Sequence, residues 1–253
     1  MPDERPRRLL IVTPTYDERE NIEAFLSAVL ATEPEAHVLV VDDASPDGTG
    51  ALVRTRAAAD PRIALLERPG KLGLGTAYVA GFGYALAHGY DVVCEMDADL
   101  SHDPRHLAAL LAALDAGADV AIGSRAVAGG GVVGWGPGRQ LLSRGGSLYA
   151  RAVLGLGART LGGPRVPVAD LTTGFKAYRR RALEAIDVGS LRSNGYAFQI
   201  ETTYRALCRG LAVVEVPIVF HDRRVGRSKM SRRVFAEAVA MVWRLRGAAL
   251  RGA

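Results

Sequence analysis

The chain has 253 residues, 49% of them hydrophobic and 23% charged, with a formal net charge of +5. That composition supports one large core or two small ones, and excludes a disordered tail, a coiled coil and a disulfide-stapled miniprotein. Residues 1–120 carry 10 Lys and Arg against 20 Asp and Glu, and the remainder 22 against 7. The second half is therefore expected to meet an anion (phosphate, nucleic acid or an anionic lipid surface), unless its basic residues are simply a solvated face.

In chain order, LLIVTPT (9–15) reads as a buried strand, and Ile22, Phe25, Leu26, Val29 and Leu30 share one face of a helix over 21–31. Strand 37–41, a turn at 44–48, helix 49–59 and strand 63–67 follow. A Gly-rich loop, helix 76–88, strand 91–96, helix 104–116 and strand 119–124 continue the alternation. Strands apolar on both faces and separated by helices specify an α/β fold, a mostly parallel sheet flanked by helices. Beyond residue 125 the pattern loosens into a Gly-rich loop at 129–138, a helix over 140–156, a loop at 163–167 and a turn at 170–174. A short strand 175–178, helices 179–186 and 196–209, one strand over 211–220, a basic loop 221–233 and a last helix to about 250 complete the chain. The expected division is a main domain over 1–230 and a basic amphipathic helix over 231–253.

Cys94 and Cys208 stand alone, with no CxxC and no zinc-like spacing, so a reduced, cytoplasmic setting is expected. The opening MPDERPRR fits no signal peptide. No apolar run reaches the roughly 18–20 residues that span a bilayer, so no membrane crossing is expected.

In such sheets ligands sit outside the carboxyl ends of the strands. Tyr16, Asp17 and Glu18 follow the first strand, Asp42 and Asp43 end the second, and Asp97 and Asp99 end the fourth. Crowded carboxylates are tolerated best where a cation or a hydrogen-bonding ligand compensates them. Helix capping accounts for Ser45, Asp47 and Asp103, but one cap does not need both carboxylates of Asp97-Ala98-Asp99. Paired hard oxygen ligands of this kind hold Mg²⁺ or Mn²⁺ once substrate phosphates complete the shell. The run Lys71-Leu72-Gly73-Leu74-Gly75-Thr76 is no Walker loop, because its lysine precedes the glycines.

Four motifs occur in order: Pro14-Thr15-Tyr16-Asp17-Glu18, Val41-Asp42-Asp43-Ala44-Ser45, Lys71 with Gly73-Leu74-Gly75-Thr76, and Asp97-Ala98-Asp99-Leu100-Ser101-His102. Together they resemble family 2 glycosyltransferases of the GT-A fold. Gly134-Trp135, Arg139, Ser143-Arg144-Gly145, Asp170-Leu171-Thr172, Asp222-Arg223 and Ser228-Lys229 narrow the resemblance to the dolichyl-phosphate (polyprenol monophosphate) mannose synthases.

The resemblance implies inverting transfer of mannose from GDP-mannose to a polyprenyl phosphate. Pro14, Tyr16, Glu18, Val41 and Asp43 would hold the guanosine, and Asp97, Ala98 and Asp99 would meet ribose, metal and diphosphate. Arg223 and Lys229 would close over the diphosphate. Asp97, Asp99 and Arg125 would be catalytic, Arg125 would also contact the donor, and Arg125, Arg139 and Ser143 would bind the acceptor's phosphate. The metal, Mg²⁺ or Mn²⁺, would sit on Asp99 and Ser101, although some relatives carry a longer Gln at the second position and water can substitute for it. Many relatives also have C-terminal transmembrane helices, which are not found here. The implied setting is the cytoplasmic side of the membrane, held peripherally, with a separate membrane-protein partner possible and no nucleic acid.

Two other readings are kept: a polyprenyl-phosphate glucose synthase using a UDP-sugar, and a non-enzymatic anion-binding module, which the acidic sheet edge disfavours. Some residues stay open. Trp135 is either a packing anchor or a lipid contact. The helix from Gln140 and the last helix face either a membrane interface or the core. His102 and His221 are either ligands or outer hydrogen-bonders, and Asp170 either orients the acceptor or starts a turn.

Overall fold

Apolar runs without alternation must be buried on both faces, and the strands lie that way. The computed structural model describes residues 7–155, 168–191, 193–222 and 239–247. Its first half runs β1 (Leu9–Thr15), α1 (Arg19–Thr32), β2 (His37–Asp42), α2 (Thr49–Ala59), β3 (Ile63–Glu67), α3 (Leu74–Ala87), β4 (Val92–Glu95), α4 (Leu107–Asp115) and β5 (Val120–Ser124). Its second half runs β6 (Gly131–Val133), α5 (Pro137–Leu154), β7 (Lys176–Arg179), α6 (Arg180–Ala185), α7 (Gly195–Cys208), β8 (Val213–Pro217) and β9 (Val219–His221), with a further helical stretch at 239–247.

The main sheet has the order β3-β2-β1-β4-β7-β5-β8, and only β7 runs antiparallel to its neighbours. The expected mostly parallel α/β sheet is what forms. Strand order reverses across β1, which has β2 on one side and β4 on the other, so the crevice outside their carboxyl ends is where a ligand fits. The three loops leaving these strands each hold a non-glycine residue in the left-handed region: Asp17 (φ 55°), Ala44 (φ 53°) and Leu100 (φ 58°). Each such residue costs about 1–3 kcal/mol, and strain of this kind collects where a site needs exact placement.

Helices cover both faces. Ile22, Phe25, Leu26 and Val29 of α1 and Leu107, Leu110 and Leu114 of α4 form one apolar layer. Tyr78 and Phe82 of α3 and Phe198 and Tyr204 of α7 form the other, with Phe198 stacked on Tyr78. Ala150 and Leu154 of α5 and Val242 and Leu245 of the last described stretch join this second layer. The expected boundary at 230/231 lies outside the described residues, but 239–247 packs on the main body. No helix among the described residues is long and apolar enough to cross a membrane.

Two elements depart from expectation. The single strand over 211–220 is two strands in different sheets. At the break, Ile218 N donates to Ser124 O (3.0 Å) in the main sheet while Ile218 O accepts from Gly131 N (2.9 Å), and β9 then pairs with β6 in a two-stranded sheet. β6 lies inside the run read as a Gly-rich loop, because glycine carries no side-chain alternation to betray a strand. The helix expected over 104–116 opens as a 3-10 turn, Pro104–His106, capped by Asp103, whose carboxylate accepts from Arg105 N.

Candidate active site

A cavity of about 440 Å³ opens at the carboxyl ends of β1, β2 and β4, lined by Pro14, Tyr16, Glu18, Asp43, Lys71, Asp97, Ala98 and Asp99. Seven of these are residues that the motifs singled out for donor binding, brought together from three loops. Their carboxylates differ in how they are held. Asp42 is structural: it accepts from Thr15 Oγ1 (2.7 Å), Ser45 N (2.9 Å) and Ser45 Oγ (2.6 Å), fastening the β1 loop to the β2 loop. Asp43 pairs with Arg68, and its other oxygen accepts from Leu72 N and Gly73 N, each at 3.0 Å. It thereby shapes the glycine loop and brings Lys71 Nζ to 3.9 Å from the centre of the Tyr16 ring. Tyr78 OH donates to Asp97 (3.1 Å). Asp99 accepts from Ser101 N (3.1 Å) and Ser101 Oγ (2.5 Å) on the same oxygen.

Three expected residues stand elsewhere. Val41 sends its side chain wholly into the core, as strand alternation next to Asp42 requires, and does not reach the cavity wall. Ser101 is buried, with its hydroxyl committed to Asp99, so it aims that carboxylate. Arg125 lines the neighbouring groove instead of this cavity. Arg223 and Lys229 lie outside the described residues.

The back wall consists of Thr172, which the Asp170-Leu171-Thr172 motif contained without a role, and of residues that motif reading missed, Asn194, Tyr196 and Gln199. The last three belong to the N-terminal end of α7, and an Asn-Gly pair opening a helix was the one local signal available. Asn194 Oδ1 accepts from Gly75 N (3.1 Å), tying α7 to the glycine loop. A Cβ on Gly75 would lie 2.1 Å from Ser193 O and 3.1 Å from Asn194 Cα. Gly75→Ala is accordingly expected to destabilise the chain by about 1–3 kcal/mol, measured by urea unfolding, because backbone, not a flexible side chain, must yield.

Thr172 and Tyr196 also line a second space, an apolar groove of about 530 Å³ between α5 and the 239–247 stretch. Its lining includes Leu141, Leu142, Tyr149, Ile200 and Val242, together with Arg125, Arg139, Ser143 and Trp135. Arg125 donates from Nε (2.7 Å) and Nη2 (2.8 Å) to the two oxygens of Asp170, and from Nη2 to Thr172 Oγ1 (2.9 Å). Burial alone would raise the Asp170 carboxyl, but these bonds and the guanidinium charge outweigh it and hold the group below its usual range. Glu215 of β8 accepts from Ala169 N (2.7 Å) and Asp170 N (2.9 Å), fixing the loop from below. Asp170 is therefore the residue that orients Arg125. Arg139 Nη1 donates to Asp222 (2.8 Å). A third cavity, about 600 Å³, lies against the 125–132 loop on another side of α5 and includes Arg144 and Arg151.

His102 is buried, with its ring centre 5.1 Å from Phe175 and 5.3 Å from Phe220. Burial pushes its pKa down to about 4, so the ring is neutral, and its Nδ1 has no partner among the described residues. His221 is exposed at the end of β9.

No cluster of three or more His, Cys, Asp and Glu among the described residues is set to hold a metal. Two carboxylates facing one cavity do suit a hard cation that keeps several waters and takes its remaining oxygens from a phosphate ligand. Chemically, an acidic cavity able to seat a cation-bound anion adjoins an apolar groove lined in part by two arginines.

A family model described as glycosyl transferase family 2 matches residues 10–187. The polyprenol monophosphomannose synthase of Mycolicibacterium smegmatis is 49% identical over 244 residues, covering 95% of this chain and 88% of that protein. The undecaprenyl-phosphate mannosyltransferase of Micrococcus luteus is 48% identical over 237 residues, covering 94% and 93%. Among solved structures, the mannosyltransferase PcManGT from Pyrobaculum calidifontis, in complex with GDP-Man and Mn²⁺, superposes with a TM-score of 0.57 at 19% identity, covering 100% of this chain and 76% of that one.

Proposed function

Because the chain belongs to glycosyl transferase family 2, we propose that it transfers mannose from GDP-mannose to a polyprenyl phosphate. The observation that carries this reading is the shared wall: Thr172 and Tyr196 line both the carboxylate cavity and the apolar groove that holds Arg125 and Arg139. A nucleotide sugar in the first and a lipid phosphate in the second would meet there. The two mannosyltransferases that resemble the chain over nearly its whole length support the sugar and the acceptor class.

The chain's own residues would divide the work as follows. Tyr16, Glu18, Asp43 and Lys71 line the end of the cavity where the nucleoside would lie. Asp97 and Asp99 would hold a divalent cation, Mg²⁺ or Mn²⁺, whose charge stabilises a departing diphosphate. Arg125, Arg139 and Ser143 would receive the acceptor's phosphate. That group carries about −1.5 to −2 charge at pH 7, so no base is required to make it nucleophilic. What it needs is cations that bring two anions together, and guanidiniums supply paired donors for phosphate oxygens. An acceptor oxygen attacks the anomeric carbon as the bond to the diphosphate breaks, and the electron pair leaves with GDP. One displacement inverts the centre, giving a β-mannosyl phosphate from an α-linked donor.

The polyprenyl chain would run along the groove toward a lipid surface. Leu141 is 74% exposed and Leu148 65% exposed on α5, beside Arg144 and Arg151. Apolar side chains interleaved with arginines suit a helix resting on an anionic leaflet, which supports a peripheral position on the cytoplasmic face.

A donor panel with a short polyprenyl phosphate and either metal tests the proposal. GDP-mannose is expected to be turned over at least ~100-fold faster, as kcat/KM, than UDP-glucose, since buried polar groups matched to one base reject another strongly. Preference for a UDP-sugar would select the glucose-synthase reading, and retained α stereochemistry in the product would exclude a single displacement.

A further inference from the structure

The loop joining β6 to α5 contains a tryptophan to which neither cavity assigns a task. Asp222 N donates to Val133 O (2.9 Å), locking the end of β6 against β9. Gly134 then turns with φ +87°, and a Cβ there would stand 3.0 Å from Asp222 Cβ, so only glycine lets the chain pass. The next residue, Trp135, has two cations against its ring. Arg139 Cζ is 4.2 Å from the centre of its ring and Arg125 Cζ is 5.4 Å, while Phe220 packs edge-on at 5.2 Å.

Three facts separate this from ordinary packing. Trp135, Arg125 and Ser143 are the residues shared by the apolar groove and the third cavity, so the indole stands in the partition where a lipid headgroup would sit. Its Nε1 is buried without a hydrogen-bond partner among the described residues. Buried indoles normally find one, so the faces of this ring are what hold it in place. Finally, the acidic partners of the two arginines, Asp170 and Asp222, lie on different segments, and the ring is the element that both guanidiniums share.

We propose that Trp135 is a positioning residue for the acceptor's phosphate, its π faces setting the spacing of Arg125 and Arg139. Like charges brought to one site repel, and the negative face of an indole is the strongest neutral counterweight a side chain offers. The inference rests on the acceptor reading above.

The test compares Trp135→Phe, which keeps a ring, with Trp135→Leu, which keeps apolar bulk, using GDP-mannose and a short polyprenyl monophosphate in micelles. Trp135→Leu is expected to raise acceptor KM about tenfold while donor KM stays within about twofold, and Trp135→Phe to stay within about threefold on both. Because the chain has two tryptophans, a Trp243→Phe background makes Trp135 the sole indole. Its emission should then respond to polyprenyl phosphate and not to the corresponding polyprenol. An unchanged acceptor KM in Trp135→Leu, an equal loss in Trp135→Phe, or an emission blind to the phosphate would each overturn the role of Trp135. No turnover by the wild-type chain would overturn the acceptor reading itself, so the two failures are told apart.

Discussion

Asp99→Asn is expected to reduce kcat at least ~10³-fold with little change in stability. Asp99 is 6% exposed, faces the donor cavity and is aimed by two hydrogen bonds from Ser101 to a single oxygen. An asparagine preserves the shape and can still accept those bonds through its own carbonyl, so the local fold should hold. What disappears is the negative charge that would fix a hard cation against a diphosphate, and preorganised charge at a leaving group accounts for about 10²–10³ or more in rate. Mannosyl transfer under single-turnover conditions, with Mn²⁺-dependent GDP binding measured beside it, reads both consequences. More than about a tenth of wild-type kcat with unaltered metal dependence would place the cation elsewhere. Were the chain only a polyanion-binding module, the substitution would leave that binding intact and abolish nothing.

The acidic edge was legible before any coordinates because it follows from two local facts. Uninterrupted apolar runs must be interior strands, and carboxylates directly after them must collect at one end of a parallel sheet. The walls opposite were not legible, because they arrive by tertiary folding. Asn194 meets Gly75 across 119 positions and Glu215 reaches Ala169 across 46, with no spacing rule to announce either. β6, and the break that separates β9 from β8, were hidden for another reason: β6 and β9 are three residues each, too short for a period to show. Val41 shows what a motif match leaves unsaid. A motif match places the residue beside the site, but alternation along β2 turns its side chain inward. Asp170, left undecided by its motif, accepts from Arg125 at the end of β5 and from Thr172 N two residues on, while its own N–H is held by Glu215 of β8.

The same limit applies beneath the donor cavity, where the largest stability effect is expected. β7 runs antiparallel beside β4 in a register that sets Lys176 opposite Glu95, and both side chains are completely buried, 3.5 Å apart. Burial pushes the Glu95 carboxyl up and the Lys176 ammonium down, each toward neutrality, and their mutual attraction opposes the shift. The surrounding bonds are nearly complete. Lys176 Nζ donates to Gln199 O (2.9 Å), Gln199 Oε1 (2.7 Å) and Thr202 Oγ1 (3.2 Å), and Glu95 accepts from Tyr178 OH (3.1 Å) and Gln199 Nε2 (3.4 Å).

Lys176→Met leaves Glu95 and Gln199 without their cation in a dry interior, which costs about 3–5 kcal/mol, whereas removing both charges of a buried pair is close to neutral. Thermal unfolding should therefore fall by about 6–20 °C in Lys176→Met and return most of the way in the Glu95→Gln, Lys176→Met double variant. A loss of under about 1 kcal/mol in the single variant, within the range of an ordinary surface change, would mean the pair is already neutral in the folded chain. Gln199 connects this pair to chemistry: its backbone carbonyl and side-chain amide oxygen are held by Lys176, and the residue lines the donor cavity. The double variant, folded but without that anchor, should consequently bind GDP more weakly than the wild type while its acceptor KM is unchanged.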